Sequence, residues 1–157
     1  MSSIISPLNP YYDHVINNIC EKLFATPPIT ANITIYLHPT IVGQKTAGGN
    51  TILDVTFAGD IFTGTFTGTG SGIARAIIHK GSINVRYIET FTGTMDGKSG
   101  TIVFSLIGEG PGIGLPVKGR WVILSGTGDF ATIHGEGTVG GIAGGFNTLM
   151  GYIHFDP

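Results

Sequence analysis

Residues 82–107 read SINVRYIETFTGTMDGKSGTIVFSLI. Two runs rich in β-branched and aromatic residues, 82–92 and 100–108, flank Asp96-Gly97. Both turn residues tolerate positive φ, so this is the sharpest hairpin signal in the chain. In the first run Ile83, Val85, Tyr87, Glu89 and Phe91 fall on one face, and Asn84, Arg86, Ile88 and Thr90 on the other. The second run is apolar on both sides, as is Arg120-Trp121-Val122-Ile123-Leu124 further on. An antiparallel sheet with one wet face should be polar on that face. Two-sided apolar strands need a second cover, which a helix, another subunit or a ligand-lined interior can supply. Closure into a barrel also removes exposed edges without the charged gatekeepers that this chain lacks.

The same grammar extends outward. Strands are expected near 29–37, 50–58, 60–68, 72–80, 82–92, 100–108, 117–125, 128–136 and 148–155, with a turn signal every 8–12 residues. Gly59-Asp60, Lys80-Gly81 and Gly126-Thr127-Gly128 are among the turns. Residues 138–147, TVGGIAGGFN, fit a loop or a glycine-kinked strand. No helical pattern recurs between strands, so βαβ units are absent. One helix is expected before the strands, from 10 to about 24. Asn9 caps it, Pro10 opens it, Val15, Ile16, Ile19, Cys20 and Leu23 form its apolar stripe, and Thr26-Pro27-Pro28 ends it. The expectation is a mainly β protein. Residues 1–28 form an arm and helix, and 29–157 form a small antiparallel barrel of about eight strands. A two-sheet sandwich is the competing architecture.

Composition narrows function. Charged residues are 11% of the 157 and the formal net charge is -2. Such a chain exerts no general pull on nucleic acid or acidic membranes, and no basic cluster changes that. One cysteine, Cys20, excludes an internal disulfide and a cysteine-rich metal site. The N-terminus lacks a basic region followed by an apolar core, and no stretch of 18 apolar residues occurs. A cytoplasmic protein with no membrane insertion is expected. Glycine, 26 of 157, is about twice its usual share. Yet the glycine-rich segments lack a Walker lysine and serine, and no G-x-S-x-G elbow exists. The five histidines are scattered, although His134 and Glu136 share a strand face, as do His154 and Asp156. No metal and no cofactor is expected.

The candidate residues are charges set inside apolar strands. Glu89 lies on the aromatic and branched face of 82–92. Inside a barrel, desolvation would raise its pKa and poise it for proton transfer; at a rim it would be an ordinary ion pair. Arg75, aligned with Ile73, Ile77 and His79, and Arg120, aligned with Val122 and Leu124, each present a fork for a carboxylate or enolate oxygen. Each can equally face outward over its own stem. Tyr87, Trp121, Phe104 and His134 are the expected walls of a ligand pocket. Low charge, a mean hydropathy of +0.31 and the apolar helix stripe point to a homodimer or homotrimer.

Two stretches carry a further signal. They are Phe91-Thr92-Gly93-Thr94-Met95-Asp96-Gly97-Lys98-Ser99-Gly100-Thr101 and the hairpin from Trp121 to Gly137, with Phe130 and His134 in the second. Together they resemble the allene oxide cyclase barrel-like superfamily, most closely its DUF3224-type proteins, over about residues 50 to 157. That resemblance implies an eight-stranded antiparallel barrel with an apolar interior. Allene oxide cyclases close an unstable epoxide there without a cofactor. The expected function is therefore a cofactor-independent cyclase or isomerase acting on an apolar, oxygenated small molecule. Glu89 would be the acid/base and Arg75 or Arg120 the clamp. The alternative is a non-catalytic, lipocalin-like carrier of a hydrophobic small molecule.

Overall fold

The structure is a computed structural model and describes residues 27–157. The expected N-terminal helix lies outside the described residues. Nine strands follow: β1 (Ile29–Tyr36), β2 (Pro39–Ala47), β3 (Asn50–Gly64), β4 (Thr67–His79), β5 (Ser82–Met95), β6 (Lys98–Gly110), β7 (Pro116–Gly126), β8 (Ile133–Ile142) and β9 (Phe146–Phe155). Every pairing is antiparallel, and from β2 to β9 each strand follows its neighbour in chain order. Closure comes from β1. One of its edges pairs with β9 along the whole strand, and the other pairs Ile33–Tyr36 with Ile61–Gly64 of β3. Eight strands thus form a closed antiparallel barrel, and a two-sheet sandwich is ruled out. β2 continues the path of β1 beyond Leu37-His38 and pairs with the first half of β3.

Three expectations about elements need correction. The runs 50–58 and 60–68 are not two strands joined by a Gly59-Asp60 turn. They belong largely to one long strand, β3, interrupted by a bulge where the register against β4 shifts between Ala58 and Asp60. Gly59 sits there at φ 71°, a conformation that suits a bulge as well as a turn. Residues 128–130 form a 3-10 turn, with β8 starting only at Ile133. Residues 39–47, not expected as a strand, form β2, which is almost wholly exposed and shows no alternation.

The bulge has a consequence for the interior. Leu53 and Phe57 point inward from β3, and strict alternation would place Gly59 and Ile61 beside them. The extra residue resets the parity, so Asp60 and Phe62 point inward instead, both essentially fully buried. At one end the barrel is solid. Phe62, Phe66, Phe91, Phe104, Phe130 and Trp121 fill it with ring-to-ring contacts such as Phe62–Phe91 at 4.8 Å and Phe66–Phe130 at 5.9 Å.

Candidate functional site

The other end of the barrel is open. Ile35, Phe57, Val85, Tyr87, Leu106 and Val139 surround a cavity of about 80 Å³, with Asn147 as its polar member. Asn147 is tied back, its Nδ2 donating to the Ile142 carbonyl at 3.3 Å. Size limits what the cavity holds, since an apolar void of about 150 Å³ takes a benzene. The present one admits the tip of a ligand and leaves its body at the mouth.

Beneath the cavity wall lies a buried polar group. Tyr87, whose ring packs on Phe57 at 4.5 Å, donates its hydroxyl to Asp60 Oδ2 at 2.9 Å. The other oxygen, Oδ1, accepts the backbone N–H of His38 at 2.6 Å. That N–H lies in the break between β1 and β2, where the side chain of Asp60 takes the place of a ladder partner. The His38 ring, more than half exposed, stands 3.7 Å from the same oxygen. Two residues deeper on β5, Glu89 is completely buried, and neither of its carboxyl oxygens has a partner of hydrogen-bonding geometry. It packs against Gly70 of β4, where any Cβ would collide with Glu89 Oε1. Burial, reinforced by the neighbouring Asp60 carboxyl, pushes the Glu89 pKa up to about 9, so it is a neutral acid at physiological pH. Burial also raises Asp60, opposed chiefly by the His38 N–H that stabilises its anion.

The structure divides the expected site residues. Glu89, Tyr87, Trp121 and Phe104 face the interior, as the alternation of their strands implies. Only Tyr87 among them borders the cavity. Trp121 and Phe104 belong to the solid end, 6.0 Å apart, with the Trp121 indole N–H on the Met150 carbonyl at 3.2 Å. The arginines do not join Glu89. Arg75 faces outward and pairs with Asp54 at 2.8 Å, and Arg120 is exposed on the outside of β7. On both strands the inward positions are held by their neighbours: Ala74 and Ala76 on β4, Trp121 and Ile123 on β7. His134 is likewise outside, 2.8 Å from Asp156 and stacked on His154 at 5.2 Å. Asp60 was missed because Gly59-Asp60 reads as a turn; the signal available was an acid between Ala58 and Ile61-Phe62 in an otherwise apolar run. Among the described residues, no group of three or more His, Cys, Asp or Glu is arranged to hold a metal ion, and no helix is long and apolar enough to cross a membrane.

An eight-stranded antiparallel barrel with a hydrophobic, aromatic interior and an apolar mouth is the class these features define, and it is consistent with binding a small hydrophobic ligand. Residues 34–148 match the family described as protein of unknown function (DUF3224), and the chain belongs to that family. Among solved structures it is similar to a protein of unknown function from the DUF3224 family of Shewanella oneidensis MR-1. The TM-score is 0.64 at 20% identity, over 85% of this chain and 98% of that one. That likeness concerns the fold. No curated protein matches the chain.

Proposed function

We propose that the barrel is a binding module for a small, mainly apolar molecule, received tip-first at the open end. The observation that carries this reading is the cavity itself, walled by aliphatic and aromatic side chains while the opposite end is packed solid. Apolar clefts with few polar groups are the usual form of small-molecule sites. The ligand is held by burial of its apolar end. The test is native mass spectrometry of the purified chain for a co-purified small molecule, repeated on Val139→Phe. We expect a bound mass in the parent protein and its loss in the variant, whose larger side chain fills the cavity. Retention in Val139→Phe would move the site elsewhere.

One observation favours a second reading, a cofactor-independent cyclase or isomerase of the allene oxide cyclase kind. Glu89 is a neutral carboxylic acid beside a second carboxyl, a pair suited to proton transfer. Glu89 does not border the cavity, so a proton would have to pass through Asp60 and the Tyr87 hydroxyl. Carrier function needs no such relay, and the sealed position of Glu89 is why binding is the better-supported reading. Ile73, Leu124 and Tyr152 stand more than half exposed on the barrel's outside. They suit assembly as a homodimer or homotrimer, which light scattering reads directly as a multiple of 16.4 kDa.

A further inference from the structure

The start of β1 lies beside a groove on the outside of the barrel. The groove, about 500 Å³, runs over β7, β8 and β9. Pro28, Val122 and Tyr152 are apolar or aromatic members of its lining, and Glu136, His134 and His154 are the polar ones. Val122, Glu136 and Tyr152 are direct cross-strand partners, in a row that continues to Thr30 of β1. Tyr152 is 63% exposed, and Leu124, on the same face of β7 as Val122, is 56% exposed. An apolar patch thus stands uncovered where residues 1–26 join the barrel.

Those residues carry a matching surface. The sequence of 10–24 puts Val15, Ile16, Ile19, Cys20 and Leu23 on one helical stripe. From Val15 to Leu23 such a stripe runs about 12 Å. On the barrel, Tyr152 and Val122 are two strands apart and Leu124 lies further along β7, a diagonal of about 12 Å. The connection restricts where the stripe can go. Only Phe24, Ala25, Thr26 and Pro27 separate Leu23 from Pro28, a reach of at most about 17 Å, and the prolines stiffen its end. Charge agrees as well. Glu136 stands between Val122 and Tyr152, exposed and without an ion-pair partner among the described residues. Lys22, the one lysine or arginine before Pro27, falls on the flank of the stripe.

We propose that residues 10–24 dock as a helix on the β7–β9 face of their own barrel. The stripe covers Val122, Leu124 and Tyr152, and Lys22 lies beside Glu136. Burial of apolar surface drives the contact, and the exposed ion pair orients it with little added strength. The docked segment leaves Ile73, Ile77 and Ile88, on β4 and β5, as the apolar patch open for assembly. The inference is independent of what the cavity binds.

Cys20 is the only cysteine in the chain and falls on the stripe, so its reaction with a maleimide in the full-length protein reads the docking directly. In the parent, Cys20 should be alkylated about tenfold more slowly than in the urea-unfolded chain. That protection should persist on dilution over about two decades of concentration. Tyr152→Glu, which puts a charge under the stripe, should restore the unfolded rate, whereas Ile73→Glu should leave the protection in place. A short bis-maleimide should link Val122→Cys to Cys20 within one chain, and should link Ile73→Cys far less. Unfolded-like alkylation of the parent overturns the docking. Protection that survives in Tyr152→Glu, or equal linking of Val122→Cys and Ile73→Cys, overturns the choice of face. Protection that fades on dilution, or linking only between chains, assigns the face to a second copy and overturns the contact within one chain.

Discussion

The two ends of the barrel are built from the same eight strands with the same alternation, yet one end is solid and the other hollow. The difference lies in the connections. At the solid end Phe66, between β3 and β4, and Phe130, in the turn between β7 and β8, fold inward and are completely buried. They meet each other edge to face and cap the aromatic stack. At the open end the connections are Leu37-His38, Lys80-Gly81, residues 111–115 and residues 143–145, which carry no Phe, Tyr or Trp and set only the half-exposed His38 ring there. Strand patterning therefore closes the wall, and loop composition decides whether an end is filled. Between the two ends lies the Tyr87–Asp60–Glu89 group, where two carboxyl side chains enter the interior.

The largest effect separating the ends should come from Phe104→Ala. Phe104 touches Phe62, Phe66 and Trp121 and does not border the cavity. Truncating it leaves a hole that close-packed rings cannot collapse into, at a cost of about 3–5 kcal/mol. Denaturant unfolding should show that loss, while ligand affinity of the folded fraction stays at the parent value. A large change in affinity with little change in stability would erase the distinction between plug and pocket.

Next comes the pH dependence set by Glu89. Its folded pKa, about 9, lies above its ordinary value, so the folded state holds a proton that the unfolded state releases. The contribution to stability is complete below the ordinary glutamate range. It is lost progressively as pH rises from there toward about 9. Asp60, also raised, acts in the same direction. Between mildly acidic and mildly alkaline pH, stability should fall by roughly 1.4 kcal/mol per pH unit from Glu89 alone. Glu89→Gln, neutral at every pH, should flatten that slope and be the more stable form at alkaline pH. An unchanged slope in Glu89→Gln would show that Glu89 is charged in the folded protein, against its sealed position.

These residues also show how far the sequence could be read. The Asp96-Gly97 hairpin and the alternation of 82–92 placed Tyr87, Glu89 and Phe91 on one face, and that face is the interior. That Glu89 shares a face with Ile83, Val85, Tyr87 and Phe91 was legible in the alternation, but alternation alone left the sealed interior and a rim ion pair both open for it. The direction of the arginines was not legible, because both faces of their strands carry apolar residues. On β4 the inward positions are the small Gly70, Ala74 and Ala76, which leave the larger Ile73 and Ile77 outside with Arg75. Side-chain size, set by crowding against Glu89 and Phe62, chose the face there, and hydropathy did not. β2 was illegible because, exposed on nearly every residue, it has no pattern to show. Asp60 was hidden by the bulge, since parity counted from Phe57 points it outward.

The smallest effect tests the link between the ends. Tyr87 borders the cavity with its ring and reaches Asp60 with its hydroxyl. Tyr87→Phe keeps the ring and removes only the donor. Asp60 then retains the His38 N–H as its donor and loses a group that favours its anion, so its pKa should rise further. The net loss of one buried hydrogen bond to a carboxyl is about 1–2 kcal/mol. For a domain of this size each kcal/mol lowers the melting temperature by about 2–4 °C. The loss should be smallest in acid, where Asp60 is neutral, and grow as pH rises. Affinity for an apolar ligand should not move if binding uses the cavity wall alone. If Tyr87→Phe instead abolishes binding or turnover while folding is intact, the hydroxyl acts on the ligand. The buried carboxyl pair would then be working through it, and the relay reading would displace the carrier.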